Sequence, residues 1–238
     1  MITTALPKTL DRLVQLLATH KPLKPAKARK LVLKAQVEVE DLMEYADFDH
    51  PVEDCYGRKL VYDGGFFEVM VMSWNPGHYS SIHNHGYTEW GVVQAFGTAQ
   101  NNIFCIKDGQ LHLAKKEILH AGDAIKVNHA LIHQMGNPTT SRFVSLHVYG
   151  CNTRDQAVTA DAKNFELEKN RISHTTGGAF FNLPEGQVYN FQPGIPPTAE
   201  TFLHYAYRLM DYYNRQEDTP EIRELKRKLL RQMEACVC

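Results

Sequence analysis

The stretch Gly77-His78-Tyr79-Ser80-Ser81-Ile82-His83-Asn84-His85-Gly86-Tyr87-Thr88-Glu89 reads as a turn running into a strand. Along a strand, residues two apart point to the same side, so His83 and His85 can both face inward. Two imidazoles on neighbouring inward positions form one edge of a metal site, and a third ligand must come from another strand. A second informative stretch runs from Gly122 through Asn128-His129-Ala130-Leu131-Ile132-His133 to Asn137.

Around these stretches, residues 56–150 alternate short apolar, β-branched runs with turn residues. The runs cover 59–62, 66–74, 89–96, 101–106, 111–115, 124–127 and 142–149, and Gly, Asn, Asp and Pro punctuate them. Lys107-Asp108-Gly109-Gln110 predicts a hairpin, and the spacing of the whole region predicts an antiparallel sandwich or barrel. The flanks differ. Leu6, Leu10, Leu13, Val14 and Leu17 mark one apolar face of a helix, and a second helical run spans residues 26–45 beyond Pro22 and Pro25. Residues 151–197 are rich in Gly and Pro and weakly patterned. A helical stripe returns from Ala199 to Tyr213, and Thr219-Pro220 is a start signal for a last helix. The expected organisation is N-terminal helices over 1–50 packed on a barrel core over 51–155. A wrapping segment and C-terminal helices follow over 156–238.

The 238 residues are 43% hydrophobic and 22% charged, enough apolar material for a core that needs no disulfide or metal merely to fold. Lys and Arg number 26 against 27 Asp and Glu, a net charge of −1 that lacks the basic excess of a nucleic-acid binder. No apolar run approaches the length of a membrane span, and the opening residues do not pair a charged region with an apolar one as a secretory leader does. Five cysteines (Cys55, Cys105, Cys151, Cys236 and Cys238) form no CxxC pair, which suits free thiols in a reducing compartment. These features predict a cytoplasmic chain, a monomer or small homo-oligomer, that engages a small molecule and neither nucleic acid nor membrane.

Taken together, the two histidine stretches resemble the paired motifs of the cupin superfamily. Gly77, His83, His85 and Glu89 fall at the first motif's spacing, with Gly97 one residue late. Gly122, His133 and Asn137 fit the second, with Asn128 and Ala130 where the pattern has Pro and Gly. Three blocks narrow the resemblance: Tyr56-Gly57-Arg58-Lys59-Leu60-Val61, Trp74 through His85, and Ser145-Leu146-His147-Val148-Tyr149. Over residues 55–150 they are similar to the cysteine dioxygenase family. The resemblance implies a mainly β fold: a cupin barrel (double-stranded β-helix or jelly roll) with N-terminal helices and a C-terminal helical extension. It implies mononuclear non-haem Fe(II) held by His83, His85 and His133, three neutral imidazoles that leave half the coordination sphere open for a thiol and O2. It further implies Arg58 as the partner of a substrate carboxylate, Tyr56 beside the substrate and Trp74 as packing beneath the site. Ser145, His147 and Tyr149, alternating on one side of a strand, would form a hydrogen-bonded relay. The implied activity is oxidation of L-cysteine by O2 to cysteine sulfinate.

The chain also departs from the family. Vertebrate members carry a cysteine seven residues after the first ligand histidine, where it forms a thioether with the active-site tyrosine; Trp90 holds that position here. Glu89 stands where many other cupins place a fourth ligand, and Gly150-Cys151-Asn152 replaces the Ser-Pro-Pro of mammalian members. Other readings therefore include a dioxygenase of another small thiol such as 3-mercaptopropionate, and a non-catalytic or 3-His-Glu metal-binding cupin. Members acting on 3-mercaptopropionate usually carry Gln where Arg58 stands. The thiol dioxygenase reading predicts that Glu89 turns away from the metal.

Overall fold

Nine strands follow one another through the middle of the chain: β1 (Gly57–Asp63), β2 (Phe67–Trp74), β3 (Ile82–His83), β4 (Trp90–Ala95), β5 (Ala99–Lys107), β6 (Gln110–Leu119), β7 (Ala124–Val127), β8 (Ile132–Gly136) and β9 (Phe143–Gly150). The computed structural model that defines them describes residues 5–183 and 185–236, so Cys238 lies outside the described residues. One sheet has the order β1-β2-β9-β4-β7, and the other contains β3-β8-β5-β6. The chain thus crosses between sheets after β2, after β3 and repeatedly onward. The order 2-9-4-7 facing 3-8-5-6 is the double-stranded β-helix of a jelly roll. The hairpin expected at Lys107–Gln110 joins β5 to β6, with Asp108 (φ 51°) and Gly109 (φ 76°) both left-handed as a type I′ turn requires.

Strands β2 and β9 are buried almost throughout. Alternate side chains explain this. Met70, Met72 and Trp74 face the barrel interior, while Phe67, Val69 and Val71 face outward into a second core. That second core is closed by α1 (Lys8–Ala18) and α2 (Pro25–Ala35), which contribute Leu10, Leu13, Leu17, Leu31 and Val32. The helical run expected over 26–45 breaks at Gln36, which is left-handed (φ 47°), and resumes as the short α3 (Val39–Met43). At the other end, α4 (Ala199–Arg215) and α5 (Pro220–Ala235) begin where Thr198 and Thr219 accept the N–H groups of Thr201 and Ile222. Phe202, Tyr205, Leu209 and Leu229 from these helices join the barrel-side core. Among the described residues, no helix is long and apolar enough to cross a membrane.

The segment read as a wrapping stretch carries three more strands, β10 (Ala162–Glu166), β11 (Arg171–Thr175) and β12 (Val188–Pro193). They extend the second sheet in the order β12-β11-β10-β3. Hydrophobic alternation does not announce them, because polar groups occupy buried positions in pairs. Glu166, for example, accepts from Ser173, Lys169 and Arg171.

Strand alternation also corrects the assignment of Trp90. Its indole lies in the helix-side core with Phe66 and Phe67, away from the barrel interior. The residue opposite Tyr149 on β4 is Gly91, and Trp90 is opposite Gly150. A Cβ on Gly150 would lie 2.1 Å from Trp90 Cζ2, so the glycine makes room for the indole. Gly150→Ala should therefore destabilise the fold by about 1–3 kcal/mol through overpacking. Denaturant unfolding checks this; an unchanged midpoint would mean that the indole has room to move.

Candidate functional site

Strand β3 is only two residues long, and its pairing assembles the site. His83 lies opposite His133 of β8 on one edge and Asn164 of β10 on the other. The three imidazole centroids are separated by 4.6 Å (His83–His133), 4.8 Å (His85–His133) and 5.2 Å (His83–His85). One ring nitrogen from each residue lies within 4.8 Å of the others, and no other group of His, Cys, Asp or Glu side chains among the described residues assembles in this way.

Neighbours fix the tautomers of two rings. His83 Nδ1 donates to the Ser81 carbonyl at 3.0 Å, and His133 Nδ1 donates to Asn101 Oδ1 at 2.7 Å. Asn101 is itself oriented, because its Nδ2 donates to Glu117 Oε1 at 2.8 Å. Each Nε2 is left with a bare lone pair, the form that binds metal. Both ring nitrogens of His85 are buried without a hydrogen-bond partner, an arrangement that costs free energy until a ligand engages one of them. Burial pushes His83 down to about 4. It holds His85 and His133 well below the ordinary range as well, reinforced by the neighbouring imidazoles. Three neutral nitrogen donors on one small volume fit a divalent transition metal, and the donor set selects no single one.

A small cavity lies against the histidines and is also walled by Tyr56, Trp74, His147, Tyr149, Thr159 and Gly177. On β9, Ser145 Oγ lies 2.7 Å from His147 Nε2, and His147 Nδ1 lies 2.7 Å from the Tyr149 hydroxyl. Burial, with the charges of His83 and Arg58 adding, pushes His147 down to about 3, and burial raises the Tyr149 phenol far above its usual range. Tyr56 is raised to about 12 by burial, and its hydroxyl accepts from the Ala179 N–H at 3.2 Å.

Arg58 stands one layer back. It lines an adjoining opening with Asp47, Asp54 and Gln187, and Tyr56 lines both spaces. Arg58 Nη2 lies 3.3 Å from where a Cβ on Gly177 would be, and Gly177 has φ +113°. Gly177 itself lines the histidine cavity, so its missing side chain leaves the guanidinium directly behind that wall. Among the described residues no ion pair engages Arg58, and its Nε is buried without a partner. Nearby, Thr159 Oγ1 donates to Glu68 Oε2 at 3.2 Å. Glu68 sits opposite Tyr149 on β2, and burial raises its carboxyl against the opposing pull of Thr159 and Arg58.

Glu89 turns away from the histidines. Its carboxylate accepts from the Asn152 N–H at 2.9 Å, from Thr153 Oγ1 and from Cys151 Sγ at 3.4 Å. Burial raises the carboxyl, and these hydrogen bonds outweigh that and hold it low. Sequence reasoning did not anticipate Thr159, Gly177, Asn101, Glu117 or Glu68 at the site. Only the Gly177-Gly178 pair carries a local signal, that of a backbone needing positive φ.

Metal binding separates these roles. His133→Ala should abolish stoichiometric metal uptake, Asn101→Ala should weaken it about 10–100-fold, and Glu89→Gln should leave it unchanged, as measured by elemental analysis and competition titration. Loss of metal from Glu89→Gln would return the carboxylate to the site. The pH dependence follows from six depressed histidines: His78, His83, His85, His133, His147 and His204. The unfolded chain takes up these protons near the ordinary value of 6.5, whereas the folded chain resists until about 4 or below. The unfolded state binds more protons in that window, so stability must fall as pH drops through it. The melting temperature of the metal-free chain should decline from pH 6.5 towards 4; a flat profile would contradict the neutral, buried state of these rings.

The chain has relatives among known proteins. The family model described as Cysteine dioxygenase type I matches residues 3–155. The chain is 29% identical over 165 residues to cysteine dioxygenase type 1 of Danio rerio, covering 63% of this chain and 81% of that protein. It is 31% identical over 123 residues to the protein of the same name from Homo sapiens, covering 47% of this chain and 60% of the relative. Among solved structures, a Klebsiella pneumoniae protein with a double-stranded β-helix domain aligns at 18% identity and a TM-score of 0.39, covering 49% of this chain and 90% of that one. With a matched segment that takes in β1 to β9 and all three site histidines, the chain belongs to the cysteine dioxygenase type I family.

Proposed function

We propose that this protein is a thiol dioxygenase that converts L-cysteine and O2 to cysteine sulfinate at a mononuclear Fe(II) held by His83, His85 and His133. The observation that carries the reading is the three-histidine cluster facing one cavity with the Ser145–His147–Tyr149 relay. Iron bound there would supply a Lewis acid that lowers the thiol pKa and a redox centre at which O2 reacts. In the overall reaction both oxygen atoms add to sulfur, so sulfur is oxidised and O2 is reduced with no other reductant consumed.

The chain's own residues do the rest. The neutral imidazoles leave the metal's positive charge uncompensated, which favours an incoming thiolate. Arg58, free of an ion pair behind Gly177 of the cavity wall, takes the substrate carboxylate in a charge-assisted, bidentate contact. Tyr149 presents its phenol to the reacting end of the substrate, and His147 holds that phenol in place. Glu89, bonded to residues 151–153, leaves the remaining metal positions open, which favours this reading over a 3-His-Glu cupin.

Oxygen uptake after anaerobic Fe(II) loading, measured against cysteine, 3-mercaptopropionate and cysteamine with product mass, tests the assignment. The expected result is uptake with cysteine and a product heavier by two oxygen atoms; no uptake with any thiol would refute it. Arg58→Ala should raise KM for cysteine by an amount equivalent to roughly 2–4 kcal/mol. It should spare cysteamine, which has no carboxylate. Equal losses on both substrates would assign Arg58 to the fold.

A further inference from the structure

A chain of hydroxyls and a neutral imidazole can run its hydrogen bonds in either direction, because every member both donates and accepts. For Ser145, His147 and Tyr149 the direction decides what the cavity meets: the phenolic hydrogen of Tyr149, or only its lone pairs. The group at the buried end settles the matter. Trp74 Nε1 lies 2.8 Å from Ser145 Oγ, and an indole nitrogen can only donate. The indole is held in place by Phe143, stacked at 6.1 Å, and by Tyr56 at 4.8 Å. Trp74, Ser145, His147 and Tyr149 are 2%, 0%, 5% and 6% exposed, so each hydrogen bond left unmade costs the full desolvation of its donor.

We infer that the Trp74 indole N–H sets the direction of the relay. Ser145 accepts from Trp74 and donates to His147 Nε2, His147 carries its proton on Nδ1 and donates to Tyr149 Oη, and the Tyr149 hydroxyl hydrogen points into the cavity. The reverse order fails at Ser145. Its hydrogen would face either the indole N–H or a space with no acceptor among the described contacts. His147, kept neutral by burial, has a single proton to place, so one ordered arrangement satisfies every member. Trp74 is therefore a positioning residue that acts on Tyr149 through two side chains, in addition to lining the cavity. The consequence for the site rests on the function proposed above. A donor hydrogen aimed at the three histidines suits an anionic partner such as a thiolate sulfur or a developing oxyanion, whereas a bare phenol oxygen would repel it.

Imidazole nitrogen NMR of the full-length chain, metal-free and loaded with diamagnetic Zn(II), reads the tautomer directly, with His147→Gln identifying the signals. The expected spectrum shows protonated Nδ1 and bare Nε2. Trp74→Phe, which keeps a ring but removes the N–H, should give a mixture of tautomers. It should also lower kcat by about tenfold while KM moves by less than about twofold. Ser145→Ala should do the same, and Ser145→Thr, which keeps the hydroxyl, should restore both readouts. If Trp74→Phe does not fold, benzothienylalanine at position 74, which exchanges N–H for sulfur at nearly constant shape, takes its place. A native His147 protonated on Nε2, or a folded N–H-free variant with native tautomer and native kcat, would overturn the inference. The tautomer is read without iron or thiol. A correctly ordered relay in a protein inert to thiols would therefore refute only the proposed function, and an Nε2–H tautomer in an active dioxygenase would refute only the relay order.

Discussion

The pairing of His83 with His133 across β3 and β8 is the constraint on which the site depends. A slip of one residue would turn both side chains to the opposite face of the sheet, and a two-residue strand has little hydrogen bonding of its own with which to resist. The register is held from outside. β10 pairs with the free edge of β3 through Asn164 and Phe165, and β5 holds β8 through five consecutive pairs. Next to His133, Gln134 donates to the Ser80 carbonyl at 3.0 Å and faces His204 Nε2 of α4 at 3.1 Å. The C-terminal strands and helix thus brace the strands that carry the ligands, although no residue of α4 lines the cavity.

Electrostatics at the site follow one plan. The groups nearest the cavity are neutral and can both donate and accept, and each network of them ends on a group with a single option. The Ser81 carbonyl can only accept, Glu117 orients Asn101, and the Trp74 indole can only donate. In a low-dielectric interior such one-way ends matter, because a hydrogen bond pointing the wrong way cannot be repaired by water. Formal charges stand one step back. Arg58 and Glu68 sit at the wall beside Gly177 and Thr159, and Glu89 is spent on residues 151–153. The cluster that would hold a metal is made of imidazoles alone, with no carboxylate in it.

The sequence made much of this arrangement legible and left other parts invisible. The i, i+2 spacing of His83 with His85, and of Ser145 with His147 and Tyr149, predicts which side chains share a face, since that periodicity belongs to the strand alone. The Asp108-Gly109 turn and the Thr198 and Thr219 caps are equally local and stand where the sequence places them. β10 and β11 were not legible, because their buried faces carry Asn164, Glu166 and Ser173, which satisfy one another or the backbone only after pairing. Counting seven residues from His83 leads to Trp90, whereas the residue opposite Tyr149 on β4 is Gly91.

Local spacing settles which residues act together along one strand, and that two facing sheets have apolar interiors. Packing of distant segments sets Arg58 behind Gly177, orients His133 through Asn101 and Glu117, ties Glu89 to Asn152 and brings the Trp74 indole N–H to Ser145. The physical reason is range. Side-chain alternation and capping are properties of a few consecutive residues, whereas these contacts join positions up to more than a hundred residues apart, and nothing local to either partner encodes the other.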